Sequence, residues 1–444
     1  MNILEVIKQY GSIFAILTTV IGWLLQERSM RQTLKRRDEE IRLKDEEIHR
    51  TLAQKDEDIR LKGEEIRHRI EIDLKEFNEK FITVVERMNG WLKDLPSPAE
   101  LNDKLNVDFG NPFLIGIHVN QPDLFYGRKD ILQSVISCAY GVQMQSVQIL
   151  GVKRSGKTSF LHFLEYSVLR QMSKIIPVYI DARAQFISPE NFYAYLLREM
   201  FKNLEKRNKN TQGSPNVPNW IPFETLSNSI EQLSNKQWGF LILLDDFTYL
   251  TNNPNLDEKF FGALRSLVLT GNIAFIISAF ENIEQSKTFT SPFANIFTEF
   301  HYLGPLSDQD ARNLIKEPAT RFCHQFENED IDFIIKVAGK MPYNIQKASS
   351  LLYDLHKKGL TGHEGCMQMK NEFITSMENR FIKQLKQLKD EEIGSLVKVS
   401  KKLSNTCFPR TLERLENYGF IEKVDGHYKV LGEAFADYLT HFKA

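Results

Sequence analysis

The chain has 444 residues, of which 42% are hydrophobic and 26% are charged. This length and composition suit two or three globular units with their own cores, and they exclude a chain that is disordered throughout. Because 57 lysines and arginines nearly balance 58 aspartates and glutamates, we do not expect nucleic acid as a partner on net charge alone. The four cysteines are widely spaced, so their spacing encodes neither a disulfide framework nor a zinc site.

The N-terminal segment contains an uncharged apolar stretch from Gly11 to Leu25. A helix needs about 20 apolar residues to cross a bilayer, so this stretch is marginal. Basic residues such as Arg28 and Arg31 follow it, and their excess places the following chain in the cytoplasm. We predict a transmembrane helix over 1–27 that makes a single pass through a bacterial inner membrane; an amphipathic or buried oligomerisation helix is the alternative.

Residues 28–90 are dominated by charges in an imperfect repeat, with acidic residues four positions before basic ones. One apolar position recurs in each heptad, with a single four-residue step. The members of this stripe are Leu34, Ile41, Ile48, Leu52, Ile59 and Ile66. The pattern predicts a solvated helical stalk that forms a coiled coil when another part gathers the chains, or one that never oligomerises. Residues 91–110 mix Pro, Gly and Asn and are predicted to be a linker.

A glycine-rich loop follows the apolar segment SVQIL and precedes a segment with helical spacing. Gly151 and Gly156 allow a tight turn that points backbone N–H groups at phosphates, at a helix N-terminus that favours anions. Lys157 is predicted to bind the β- and γ-phosphates, and Thr158 to bind Mg²⁺. The remaining residues assigned to this nucleotide-binding loop are Val152, Lys153, Arg154, Ser155 and Ser159.

A second apolar strand, GFLILLDDF, ends in two acids. Asp245 is predicted to hold Mg²⁺, and Asp246 to orient or deprotonate the attacking water. Motor-like relatives carry Glu at that second position, so the shorter Asp246 predicts slow hydrolysis. Further strands are predicted at 177–181 and 273–280. Ser278 ends the latter, where it either senses the γ-phosphate or serves as an ordinary cap or turn serine.

Five motifs in this order resemble those of the bacterial STAND-type NTPases, signal-transduction ATPases related to AAA+ proteins and to archaeal ATPases. The motifs are NPFLIGIHVNQPDLFYGRKDI, GVKRSGKTS, LLDDF, HYLGPLSDQDARNLI and AGKMPYNIQ. The resemblance implies an α/β P-loop NTPase core over 111–305 with a parallel sheet in the order 5-1-4-3-2, a helical lid over 306–378, and a winged-helix domain over 379–444. It also implies ADP in a closed state and ATP in an open, often oligomeric one.

The resemblance also assigns residues to the nucleotide. Those implied to border the adenine are Phe125, Tyr126, Gly127 and Arg128, with Pro342 and Tyr343 approaching from the lid. Two departures stand out: Ser278, Ala279 and Phe280 lack the arginine that commonly follows the fourth strand, and the lid has Pro342 three residues after Gly339. Arg265 is the candidate for an arginine finger across a subunit boundary, with an exposed helix arginine as the alternative.

The C-terminal segment predicts two helices, a hairpin at Asp425-Gly426 and a last helix, a winged-helix pattern. Its candidate recognition helix carries Arg410 and Arg414 but also two glutamates, which favours docking or autoinhibition over DNA binding. We therefore expect a membrane-anchored ATPase switch that uses ATP, ADP and Mg²⁺. Its nucleotide-driven homo-oligomer is expected to signal to the membrane segment or to an unknown partner, in a setting such as bacterial antiviral defence. The alternatives are a membrane-tethered, ATP-dependent DNA-loading factor and a tether that nucleotide only stabilises.

Overall fold

The computed structural model describes two parts of the chain. In the first part it describes residues 16, 19–31, 35–37, 39–40, 42–45, 47, 49–52, 54–65, 68–69 and 72. In the second part it describes 110–442 except 120, 141–142, 173, 208–214, 271, 286–288, 290 and 323. These parts belong to two compact units that divide between Val107 and Asp108.

The described residues of the first unit are all helical and almost all exposed. Leu52 and Ile59 of the predicted stripe are exposed; the other four stripe residues lie outside the description. Charged side chains three or four residues apart form ion pairs, as between Glu57 and Arg60 at 2.9 Å. The described residues are therefore helical, solvated and charged, and the role of this segment as a stalk stays a prediction.

The prediction of a membrane-spanning helix over 1–27 is wrong. Among the described residues, no helix is both long and apolar enough to cross a bilayer. Residues 1–15, 17 and 18 of that segment lie outside the described part of the chain. The physical reason is already visible in the sequence, since the uncharged stretch falls short of the roughly 20 residues that a spanning helix requires. The single-pass inner-membrane localisation is corrected with it.

The second unit is built on a five-stranded parallel sheet. Its strands are β1 (Ser146–Leu150), β2 (Ile175–Asp181), β3 (Gly239–Asp245), β4 (Ile273–Ala279) and β5 (Phe297–Tyr302). Their order across the sheet is β2-β3-β4-β1-β5, which reads 5-1-4-3-2 from the other edge. All neighbouring pairs are parallel, so the carboxyl ends of the strands meet at one edge.

Helices cover both faces of this sheet. They are α1 (Lys129–Tyr140), α2 (Lys157–Gln171), α3 (Pro189–Arg207), α4 (Phe223–Asn235), the short α5 (Thr248–Thr251) and α6 (Glu258–Thr270). Alternate strand residues point to opposite faces. Leu241 and Leu243 pack with α1 and α2, whereas Phe240, Ile242 and Leu244 pack with α3, α4 and α6. Burial on both faces explains why β3 is an unbroken apolar run.

Seven helices and a hairpin complete the described part of the second unit. They are α7 (Asp308–Arg321), α8 (Asn328–Ala338), α9 (Pro342–Lys357), α10 (Gly362–Leu385), α11 (Asp390–Ser400), α12 (Pro409–Asn417), β6 (Ile421–Val424), β7 (His427–Val430) and α13 (Glu433–His441). Helix α10 runs without a break through the boundary predicted between 378 and 379. The elements from α7 to α13 share one hydrophobic core.

The C-terminal hairpin forms where the sequence predicts it. β6 and β7 pair antiparallel across a two-residue turn at Asp425 and Gly426. Both turn residues have positive φ, 49° and 82°, the geometry that Asp-Gly favours in tight hairpins. The observed order is two α-helices, a hairpin and a last helix; its identification as a winged helix stays a prediction.

Candidate nucleotide-binding site

The loop between β1 and α2 has the backbone of a phosphate cradle. Gly156 precedes the first helical residue in the left-handed region, at φ 100°. Gly151 also has positive φ, and a Cβ there would lie 2.6 Å from the Ser155 hydroxyl oxygen. Both positions therefore need glycine, because a side chain would be strained or would clash. The result is a loop that leads directly into the N-terminus of α2, the kind of backbone that binds anions through its N–H groups.

Lys157 folds back over this loop. Its Nζ donates to the carbonyl oxygens of Gly151 at 2.8 Å and Val152 at 3.2 Å. Burial lowers the pKa of the Lys157 ammonium, while Asp246 and Asp245 act in the opposite direction. A cation held among carbonyls at the centre of the loop is placed to bind a phosphate group.

Asp245 lies fully buried at the end of β3, and hydroxyl groups satisfy its carboxylate. Thr158 and Tyr179 donate to Oδ2 at 2.7 and 3.1 Å, and Ser278 donates to Oδ1 at 2.6 Å. The structure thus brings Thr158 and Asp245, the two predicted Mg²⁺ ligands, into direct contact. Hard oxygen donors in this arrangement suit Mg²⁺.

Asp246 adopts a left-handed backbone conformation at φ 54°, a strained state for a residue with a side chain. Its N–H donates to the Ser278 hydroxyl at 2.8 Å, so one serine connects both acids. Burial, and then the charge of Asp245, raises the pKa of the Asp246 carboxyl. The Arg183 Nε lies 3.8 Å from its Oδ2, which opposes that rise.

Ser278, near the end of β4, is hydrogen-bonded to both acids. It is fully buried, and its hydroxyl both donates to Asp245 and accepts from the Asp246 backbone. Its role as a γ-phosphate sensor, or as an ordinary cap or turn serine, stays a prediction.

A cleft extends from the loop towards α7 and α9. It has a volume of about 60 Å³. Its apolar lining consists of Val119, Leu124, Phe125, Leu303, Leu306, Leu314 and Pro342. Its polar lining consists of Tyr126, Arg128, Ser155, Ser159 and Gln346, with Gly156 at the loop. Most of the residues implied to border adenine therefore meet on one cleft beside the phosphate loop, an arrangement that suits a flat base next to its phosphates.

Arg128 lines this cleft, but its charged group is hydrogen-bonded to backbone carbonyls. Its guanidinium donates to the carbonyls of Pro305, at 3.0 Å, and Gly304. Burial lowers its pKa to about 10. Arg128 thus fixes the segment that follows β5 to the start of α1.

Two arginines, Arg154 of the loop and Arg380, contact the aromatic ring of Tyr343. The Arg154 guanidinium is 5.6 Å from the Tyr343 ring centre and donates to the Gly116 carbonyl at 2.6 Å. The Arg380 guanidinium, from α10, stacks on the same ring at 3.7 Å. Burial lowers the pKa of Arg380, and its Nε has no hydrogen-bond partner among the described residues. Tyr343 thus connects the loop to α10 through cation–π contacts.

The loop also contacts the C-terminal elements directly. Val152 is 1% exposed and lines a small cavity of about 10 Å³ together with Met341, Phe381, Tyr418 and Phe420. The Lys153 N–H lies 3.4 Å from Gln387 Oε1. The phosphate loop, α9, α10 and the segment after α12 therefore share packed side chains.

Helix α12, the candidate recognition helix, turns a basic residue inward. Arg414 pairs with Glu281, just after β4, at 3.2 Å and with buried Glu392 at 2.8 Å. It also lies over the Tyr418 ring, which stacks on Phe280 at 4.9 Å. Arg410 on the same helix is exposed. These contacts dock the helix against the sheet-bearing core.

Arg265 is not joined to this site. It lies half-buried on α6, and its buried Nε finds no hydrogen-bond partner in the part of the chain that the structure describes. Among the contacts of the described residues, none connects Arg265 to the phosphate loop or to the two acids. Its role as an arginine finger stays a prediction.

Sequence reasoning missed four residues that the structure places around the site: Tyr179, Arg183, Gln346 and Arg380. One of them had a signal. Gln346 follows Pro342 by four residues, a spacing that puts these two residues on one face of α9. Tyr179, Arg183 and Arg380 depend on tertiary contacts that no local spacing encodes.

Comparisons with known proteins give the fold. No protein-family model matches the chain, and no curated protein matches it in sequence. A Walker-type ATPase of Pyrococcus abyssi superposes with a TM-score of 0.52 at 14% identity, over 73% of this chain and 98% of that one. The ORC2 protein of Aeropyrum pernix gives 0.44 at 12% identity, over 75% and 94%. The RuvB branch migration motor of Thermotoga maritima gives 0.39 at 11% identity, over 74% and 99%.

The site residues fit a nucleotide. The loop offers free N–H groups and the Lys157 ammonium, while Thr158 and Asp245 offer oxygen ligands. The cleft also contains Ser155 Oγ and Gln346 Oε1, buried polar atoms without partners among the described residues. Buried polar atoms are normally satisfied, so unpaired ones in a cleft mark where a ligand supplies the partner. The similarity to the Walker-type ATPase shows a P-loop NTPase fold, an α/β fold with the glycine-rich loop between β1 and α2.

Proposed function

We propose that this protein is an ATP-binding, slowly hydrolysing molecular switch of STAND type. The observation that supports a switch is the burial of Val152, a residue of the phosphate loop, against the lid and the C-terminal elements. A loop that moves when phosphates enter must disturb this packing, because close-packed interiors transmit small displacements. Nucleotide state and the docking of the C-terminal elements are thereby coupled.

The chemistry follows from the described contacts. Lys157 leaves its two carbonyl partners to bind the β- and γ-phosphates, and the loop N–H groups bind the remaining phosphate oxygens. Thr158 and Asp245 would hold Mg²⁺, which would neutralise charge on the phosphates. Asp246 orients the attacking water, with Arg183 as a neighbouring cation. A strained, short Asp at this position supports slow turnover.

Transmission of the signal rests on Arg414. Its pair with Glu281 ties α12 to the end of β4, the strand beside β1 and its phosphate loop, whereas its pair with Glu392 joins α12 to α11. Release of the Glu281 pair would free the C-terminal elements for assembly of identical chains or for an unknown protein partner. The resemblance to STAND proteins supports bacterial defence signalling as the setting.

The test is the rate at which a fluorescent ADP analogue dissociates from the full-length protein. Arg414→Ala is expected to accelerate dissociation about 10-fold, because losing a partly buried charged contact costs on the order of 1–2 kcal/mol. Arg410→Ala changes the same residue type on an exposed position of the same helix and should leave the rate unchanged.

Glu281→Gln removes the other partner and should accelerate dissociation in the same direction. Equal rates in the wild type and all three variants would refute the coupling. A wild-type protein that binds no nucleotide would refute the function itself.

A further inference from the structure

The cleft beside the phosphate loop contains a carboxamide whose partner is missing. Gln346 lies on α9, one helical turn after Pro342, and lines the cleft with it. Its Oε1 is buried from solvent and has no hydrogen-bond partner among the described residues. An unpaired buried acceptor is costly. A hydrogen bond donated to this oxygen by a bound group therefore contributes more to the binding free energy than a hydrogen bond at an exposed position.

We propose that Gln346 reads the edge of the purine base and makes the cleft selective for adenine over guanine. This inference rests on the proposed function, since it names the base that the nucleotide site accepts. The six-position amino group and N7 of adenine form a donor–acceptor pair, which a carboxamide matches with two hydrogen bonds. Guanine presents two acceptors, O6 and N7, at the same edge.

Either orientation of the Gln346 amide allows this pairing. In either orientation the carboxamide offers one donor and one acceptor. Against adenine both can be satisfied, whereas against guanine the carboxamide oxygen would face another acceptor. An unsatisfied buried pair of this kind is what gives polar sites their strong discrimination.

The arginine that lines the same cleft does not favour guanine. An arginine that reads guanine donates to O6 and N7 together. Arg128 lines the cleft, but its guanidinium already donates to the carbonyls of Gly304 and Pro305. The apolar residues of the cleft contact either base equally. Among its polar residues that the structure describes, Gln346 is the one carboxamide, with a donor and an acceptor side by side to match the edge of adenine.

The experiment is a competition assay on the full-length protein, in which unlabelled triphosphates displace a fluorescent ADP analogue. The competitors are ATP, GTP and purine riboside triphosphate, which lacks the six-position amino group. For the wild type we expect ATP to bind about 10-fold more tightly than either of the other two, the effect of one good hydrogen-bonding pair. In Gln346→Leu, all three should bind within about 2-fold of one another, because the discriminating group is gone.

The matched control is Gln309→Leu, the same chemical change at an exposed position of α7. It should retain the preference for ATP. If the wild type binds ATP and the analogue without the amino group equally, or if Gln346→Leu still prefers ATP, the inference is wrong although the nucleotide site stands. The comparison of ligands on the wild type decides the question even if Gln346→Leu fails to fold. If the wild type binds none of the nucleotides, the proposed function fails first.

Discussion

At the scale of single residues, the site is held together by a buried carboxylate. Asp245 accepts from Thr158, Tyr179 and Ser278, so both of its oxygens are fixed before any ligand enters. Such preorganisation is what metal and phosphate sites require. The sequence predicts Asp245 because it ends an apolar strand, and Thr158 because it ends the phosphate-loop motif. It does not predict Tyr179 as their partner, because that contact depends on which strands are neighbours.

Lys157 is the first residue to test. Lys157→Ala should weaken ATP binding at least about 100-fold, because the ammonium that is placed to bind phosphate is lost. Titration of a fluorescent ATP analogue measures this. Lys174→Ala, at an exposed position before β2, is the matched control and should bind normally. Equal affinities in the two variants would contradict the assignment of the phosphate loop.

Asp246 separates binding from turnover. Asp246→Asn should lower the rate of ATP hydrolysis about 100-fold or more, the usual contribution of a base or water-orienting group. The affinity for ATP should change by less than about 3-fold, since Asp246 is assigned to the water. Single-turnover hydrolysis and equilibrium binding measure the two quantities, and hydrolysis at the wild-type rate would exclude Asp246 from the mechanism.

At the scale of secondary-structure elements, close backbone contacts join the lid to the C-terminal elements. Gly339 ends α8 and Gly432 precedes α13, both with positive φ. A Cβ on Gly432 would lie 2.8 Å from the Gly339 nitrogen. The sequence indicates both helix boundaries, but only the fold shows that the two glycines meet. The contact leaves little space for a side chain at either glycine.

Gly432→Ala tests this contact. The new methyl group clashes with backbone atoms, so the free energy of unfolding should fall by about 2–4 kcal/mol. Gly426→Ala is the matched control: φ is also positive, but a methyl group added there would have no described atom within 4 Å. That variant should lose only about 1 kcal/mol through backbone strain. Urea unfolding measures both, and equal losses would mean that the close contact has no energetic weight.

The C-terminal hairpin contains an ion-paired residue, Glu422, whose contribution to stability should depend on pH. Burial alone would raise the pKa of Glu422, but hydrogen bonds from Lys340 at 3.0 Å and Lys429 at 3.1 Å bring it below its usual range. A pKa that is lower in the folded state stabilises the protein at neutral pH, and this contribution is lost as the pH falls through the folded-state pKa.

Glu422→Gln should therefore lower the free energy of unfolding by about 0.5–1 kcal/mol at pH 7. The difference from wild type should shrink towards zero as the pH is lowered below about 4, where Glu422 becomes protonated first in the unfolded and then in the folded state. Urea unfolding at both pH values measures this, with Glu413→Gln at an exposed position of α12 as the control. A difference that stays constant with pH would contradict the ion pair.

At the scale of the whole molecule, the sequence predicts the nucleotide-binding core better than its surroundings. Strands β1 to β4 are apolar runs buried on both faces, which local pattern reveals. β5 is an edge strand in which half of the residues are exposed, so its pattern gives little signal. The predicted membrane helix failed because apolar character without sufficient length does not make a span. The sequence also does not show that the Arg414 side chain points into the protein, because its partner Glu281 lies 133 residues away in the chain.

The most direct test of the proposed switch is the mass of the full-length protein by light scattering. Equal concentrations are compared with ADP and with a non-hydrolysable ATP analogue, using Lys157→Ala as the control. We predict one mass with ADP, a larger mass with the ATP analogue, and no increase in the Lys157 variant. An identical mass with both nucleotides would contradict nucleotide-driven assembly.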